Sequence, residues 1–146
     1  MIRPAAPVAS QIRRLDRGEL PVDTVEFACS LLGKTLVHDR REDRRSGQIV
    51  ETKAYVVGDA ASHTFRGPKA RNRSLFLERG HAYVYRIYGL LHLLDVVSEP
   101  AGIGAGVLLR ALEPLEGIAL MQRGQGTRAA HRPGSWPASR RAEHWP

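Results

Sequence analysis

Apolar residues keep a regular spacing only between residues 24 and 123, and in that window the spacing is mostly that of strands. Thr35–Val37, Gln48–Tyr55, Ala82–Ile87, Leu91–Val97 and Val107–Leu112 are short runs rich in β-branched, aromatic and other apolar residues. Tyr88-Gly89-Leu90 joins two of them as a hairpin. Ahead of the strands, Asp23-Thr24-Val25-Glu26 has the spacing of a capping box. Val25, Ala28, Leu31 and Leu32 follow at helical spacing and Gly33 supplies a stop, which predicts a helix over 24–32. The segment from Asp39 to Gly47 reads as a charged turn, and Pro114 as the first residue of a second helix carrying Leu115, Ile118 and Met121. If the second strand stays extended, Ile49, Glu51, Lys53 and Tyr55 share one of its faces.

The two ends differ from this middle. Residues 1–20 mix Pro, Ala, Ser and Arg without periodicity and read as a flexible arm. After Arg123 the apolar pattern stops, and 124–146 reads as a disordered basic tail. The formal net charge of +7 sits mainly in these ends. The middle is nearly balanced, so contact with nucleic acid there rests on local patches. The length fits one domain, 21–123, whose core needs neither disulfide nor metal. Cys29 is the only cysteine and the histidines are scattered, so no zinc-ligand spacing arises and no metal or cofactor is expected. No apolar run is long enough to span a bilayer and no secretory h-region follows Arg3. A soluble, cytoplasmic protein is expected, nucleoid-associated in a bacterium.

Two local features point to nucleic acid. The long connection 56–81 holds Arg66, Lys69, Arg71, Asn72 and Arg73 around Gly67, with no acid between His63 and Arg73. Long structureless connections in compact domains are usually functional, and loops of this composition contact phosphates. The tyrosines are Tyr55, Tyr83, Tyr85 and Tyr88. Tyr83 and Tyr85 share a strand face and Tyr88 stands at the hairpin tip, a placement suited to stacking on bases or wedging between them. Gly33-Lys34-Thr35 is not a phosphate-binding loop: position 28 is Ala where that motif needs Gly, and the helix precedes the strand.

Several blocks together resemble the 3-methyladenine (alkyladenine) DNA glycosylase family in order and spacing. They are Leu31-Leu32-Gly33-Lys34, Ile49-Val50-Glu51-Thr52, Ala54-Tyr55, Ala61-Ser62-His63, Arg71-Asn72-Arg73, Tyr83-Val84-Tyr85 with Ile87-Tyr88-Gly89, and the run Val107–Gly117. The resemblance covers about residues 24–123. It implies an α+β domain with a curved, mainly antiparallel sheet and short flanking helices, with the C-terminal part of the family fold missing. It implies base excision repair of duplex DNA carrying alkylated or deaminated purines, by a monomer that uses no metal. The base is flipped out and its bond to deoxyribose hydrolysed. By resemblance Tyr55, His63, Tyr85 and Asp95 line the base pocket, Tyr88 fills the gap left in the stack, and Arg110 lies beside the attacking water. Flipping costs a few kcal/mol, which stacking in the pocket and a wedge in the duplex offset.

Two pocket positions depart from the family. Lys53 stands where the family has its general-base glutamate. The reaction needs a carboxylate to take a proton from water and to sit by an oxocarbenium-like sugar, and an ammonium does neither. Glu51 lies nearby but belongs to the family motif in its own right. Asp95 stands where the family has asparagine. The chain therefore reads as a glycosylase whose catalytic position is altered. The alternatives are a pseudoenzyme that binds DNA or lesions without cutting, and a truncated product with no function.

Overall fold

A computed structural model of the chain describes residues 13–41, 43–88 and 91–124. Helix α1 spans Thr24–Leu31. The Asp23 carboxylate accepts from the N–H groups of Val25 (2.9 Å) and Glu26 (2.8 Å), which satisfies two donors that a helix start leaves without partners. Gly33 takes φ +78°, a conformation that costs other residues strain, and ends the helix. Its N–H donates to the carbonyl of Ile49 at 2.8 Å, which ties the helix end to the sheet.

Five strands follow: β1 Thr35–Arg40, β2 Asp43–Tyr55, β3 Ala82–Ile87, β4 Leu91–Val97 and β5 Gly106–Glu116. They form one sheet in the order β1-β2-β5-β4-β3, antiparallel at every contact. The α+β class and the curved antiparallel sheet expected from the resemblance are present, the sheet curling into a half-barrel. β4 meets β5 only where Asp95–Val97 pair with Leu108, Val107 and Gly106, so the sheet is narrow where it curls.

Two sequence readings are corrected. Most of the segment read as a charged turn, Asp39–Gly47, is strand: Asp39 pairs with Arg44 and Arg40 with Asp43. Opposite charges directly across an antiparallel pair stabilise it, so charge density does not mark a turn here. Pro114 does not open a helix but lies inside β5 opposite Gly47, at a register shift. Proline is tolerated at such irregularities, and no β4 residue pairs with this part of β5. The second helix, α2 (Ile118–Gly124), starts only after Gly117 has turned the chain at φ +72°.

The sheet buries both faces. On one, Phe27, Ala28 and Leu31 of α1 pack against Ile49, Leu94, Val107, Leu109 and Leu112. On the other, Leu75 packs with Tyr83 and Val97, joined by Phe76 and Tyr85. Leu75 and Phe76 come from a 3-10 turn, Arg73–Phe76, late in the long connection. Thus the connection is docked by its own apolar residues. Gly104 makes this docking possible, because a Cβ there would lie 2.5 Å from the Phe76 ring and 2.7 Å from Thr64. Gly104→Ala is therefore expected to destabilise the fold by about 1–3 kcal/mol. Urea unfolding measures this, and an unchanged midpoint would show that the connection is not held against β5.

Of the segment read as a flexible arm, residues 13–20 are described. Asp16 and Glu19 cap a 3-10 turn over Arg17–Glu19, Arg13 pairs with Glu19 at 2.7 Å, and Leu20 packs against the α1-side cluster. Residues 1–12 and the basic segment read as a disordered tail, apart from Gly124, fall outside the described residues. Among the described residues no helix is long and apolar enough to cross a membrane.

Candidate functional site

The face of the sheet opposite α1 carries the residues singled out from the sequence, and paired irregularities decide which of them it carries. Val50 has no partner between the pairs Ile49–Leu112 and Glu51–Ala111. Arg110 has none between Ala111–Glu51 and Leu109–Thr52. Each bulge inserts one residue and re-aims its neighbours. Ile49 is thereby turned into the α1-side core, so it does not share a face with Glu51, Lys53 and Tyr55 as a regular strand would have it. The bulges also bring Glu51 and Arg110 together, with Oε1 3.4 Å from Nε.

A single row of residues crosses four strands on this face. Lys53 of β2 pairs with Leu108 of β5, Leu108 with Asp95 of β4, and Asp95 with Tyr83 of β3. Directly paired residues point to the same side. Lys53 and Asp95 therefore lie two strands apart on one row. Lys53 holds its Nζ 4.6 Å from the centroid of the Tyr55 ring, a cation–π contact.

The long connection completes the site from above. His63 Nδ1 and the Tyr83 hydroxyl share a hydrogen bond of 3.0 Å. Tyr83 and Tyr85 stack with centroids 4.8 Å apart, and His63 meets Tyr85 edge-on at 4.6 Å. Burial, and after it the positive charge of Arg71, holds the His63 imidazole below its ordinary pKa, which favours the neutral ring. Burial also raises the phenols of Tyr83 and Tyr85. Asp95 is 4% exposed and its Oδ1 has no hydrogen-bond partner. Burial pushes its carboxyl up to about 7, against the lowering effect of the Tyr85 hydroxyl.

Beside the aromatic cluster lies a cavity of about 260 Å³, lined by Ser62, His63, Arg66, Lys69, Arg71 and Tyr83 among others. Asn72, read from the sequence as a DNA contact, is buried and uses its side chain inside the connection. Its Oδ1 accepts from the Lys69 N–H at 2.6 Å, and its Nδ2 donates to the carbonyls of His63 (2.7 Å) and Gly67 (3.2 Å). Asn72 thus shapes the connection. Arg73 is exposed and opens the 3-10 turn. Tyr88 is 88% exposed at φ +50°. A bulky residue rarely takes that conformation.

The structure therefore brings His63, Tyr85 and Asp95 together, with Lys53 and Tyr55 on the same face and Arg110 beside Glu51. It places Tyr88 apart, at the end of β3. Sequence reasoning puts Tyr83 on a face with Tyr85 as a stacking surface but does not identify it as the hydrogen-bond partner of His63. The two-residue spacing is the available signal. Among the described residues no group of three His, Cys, Asp or Glu could hold a metal ion.

The methylpurine-DNA glycosylase family description matches residues 19–138. A protein of Mesorhizobium japonicum named "Putative 3-methyladenine DNA glycosylase" is 63% identical over 110 residues, 75% of this chain and 53% of its own length. One of the same name from Paraburkholderia phytofirmans is 52% identical over 118 residues, 81% of this chain and 52% of its own. Another from Chlorobium phaeovibrioides is 45% identical over 129 residues, covering 87% and 66% respectively. The chain thus spans about half the length of the first two. With a family match over most of the sequence and relatives of this identity, the chain belongs to the methylpurine-DNA glycosylase family.

Proposed function

We propose that the chain recognises damaged purines in duplex DNA by flipping the base out, and that Lys53 leaves it without the hydrolytic step. Recognition is supported by the names of the relatives, by the aromatic cluster of His63, Tyr83 and Tyr85 with Tyr55 nearby, and by the exposed Tyr88. Such rings stack on a flipped base, and a rigid exposed aromatic fills the gap it leaves. The basic residues Arg66, Lys69, Arg71 and Arg73 supply phosphate contacts. One copy of the chain suffices for this reading, and it needs no cofactor.

The observation that carries the loss of hydrolysis is the position of the charged groups around Tyr55. Lys53 puts an ammonium where a base must accept a proton, and the Tyr55 ring stabilises that charge. Glu51, the neighbouring carboxylate on the same face, is engaged by Arg110. Loss of a general base costs about 10²- to 10⁴-fold in rate, and positive charge beside an oxocarbenium-like sugar costs more. The test measures binding and base release separately on duplexes containing hypoxanthine or an alkylated purine. Tighter binding to the damaged duplex with base release at background is expected. Release well above background would overturn the pseudoenzyme reading, and equal affinity for undamaged duplex would overturn recognition.

Tyr88→Ala separates the wedge from a structural role. Its ring is expected to contribute about tenfold to duplex affinity, from the value of one base–aromatic stack, and much less to single-strand affinity. Fluorescence anisotropy on both substrates checks this. Equal losses would mean that Tyr88 does not enter the stack.

A further inference from the structure

We propose that the cavity beneath the long connection is a binding site for one phosphate group, whose occupancy is passed to the aromatic cluster through Arg71, Tyr83 and His63. The cavity adjoins the base pocket and shares only His63 with it: Tyr55, Tyr85 and Asp95 do not line it, and its walls come from residues 60–72 and from Tyr83. Three cations, Arg66, Lys69 and Arg71, line it without any carboxylate. None of the three takes part in an ion pair among the described residues. A solvated surface would mix the signs, and three unneutralised cations around one concavity are held ready for an anion.

The polar groups fit the same ligand. Ser62, Asn72, His63 and Tyr83 are the other polar residues of the lining, and the last two bond each other. Asn72 is already committed to shaping the connection, so the cations carry the recognition. The guanidinium fork of Arg66 or Arg71 matches two oxygens of a phosphate, and Lys69 adds a point charge. With a volume of about 260 Å³ the site is an open basin in which a phosphate can keep its attached sugar.

The link to the aromatic cluster is direct. Arg71 lines the basin together with Tyr83 and His63, and the Tyr83 hydroxyl shares a hydrogen bond with His63 Nδ1. His63 packs edge-on against Tyr85. An anion on Arg71 therefore neutralises the positive charge felt by His63 within the shared lining. The basin would take either a phosphodiester of the DNA backbone or free phosphate. This rests on the DNA-binding reading only for the first source, and not on lesion recognition.

The full chain is titrated with inorganic phosphate, and separately with a short undamaged duplex, while NMR follows the His63 ring resonances. Sodium chloride at matched ionic strength is the control. A saturable shift of His63 is expected with phosphate and with duplex, but not with chloride. Arg71→Gln and Lys69→Gln are each expected to weaken the phosphate response about tenfold or more, as loss of a charge-assisted hydrogen bond does. Arg86→Gln, an exposed cation outside the basin, is expected to leave it unchanged. A response to phosphate without one to duplex assigns the basin to free phosphate and excludes the DNA backbone. No saturable shift with either probe, or a response surviving both Arg71→Gln and Lys69→Gln, overturns the site. Neither probe carries a damaged base, so failure of lesion recognition cannot produce these results.

Discussion

The combined substitution of Lys53→Glu and Asp95→Asn is expected to raise release of an alkylated purine at least about 10²-fold over the native chain, the lower end of what a general base contributes. Lys53→Glu alone is expected to give markedly less. The reason is the row Lys53–Leu108–Asp95. A carboxylate introduced at position 53 would face the Asp95 carboxyl across a single strand, with backbones about 10 Å apart. At an effective dielectric of about 20, two like charges about 8 Å apart repel by about 2 kcal/mol. Coupled in this way, the pair releases its two protons in steps that belong to the pair and not to either residue. Removing the carboxyl at 95 lets the new base titrate alone, and a difference of about tenfold between the single and double variants is expected. Single-turnover base release reads both. Equal rates would show that the two positions are uncoupled. If both variants are folded, bind damaged duplex and release nothing, Lys53 is not what disables the chain. Borohydride trapping of the native chain covers the opposite case, since a covalent adduct lost in Lys53→Ala would make the lysine a nucleophile.

Asp95→Asn by itself is expected to stabilise the protein, and to do so only when the carboxyl would be charged. Burial pushes the Asp95 pKa from 3.8 up to about 7. Between those values the native chain holds a proton that the unfolded chain has released, so stability falls as pH rises through this window. The loss is complete above about pH 7. A rise of that size corresponds to about 4 kcal/mol at most. The groups facing Asp95 do not remove this cost: Tyr83 and Tyr85 are neutral phenols, Leu108 is apolar, and Lys53 is held over Tyr55. Relative to the native chain, Asp95→Asn is expected to gain about 2–4 kcal/mol at pH 8 and less than about 1 kcal/mol at pH 4.5. Urea unfolding at the two pH values measures it. A pH-independent difference would mean that Asp95 does not bind a proton in the folded state.

Much of the fold is legible along the chain. Asp23 and Gly33 bound a helix by capping chemistry that acts over one turn, so their effect is local and readable. The strands β3 and β4 follow from β-branched and aromatic runs broken at Tyr88. Charge and proline mislead as punctuation. Asp39 and Arg40 meet their opposite charges, Arg44 and Asp43, only across the ribbon, and Pro114 is tolerated because it meets Gly47 at an irregular register. Both are non-local facts.

The candidate site divides in the same way. The lineage is written in the chain itself, through separated blocks of residues, and so is the list of candidate site residues, Lys53 and Asp95 among them. How that inventory is arranged is a property of the folded molecule. Folding set Lys53 and Asp95 on one row, turned Ile49 away from Glu51, joined Glu51 to Arg110, made Tyr83 the partner of His63 and buried Asn72 within the connection. Strand register and bulges are settled by pairing between distant segments. One inserted residue reverses which side chains face the site, and nothing in the local pattern of β2 announces that Val50 is the residue inserted.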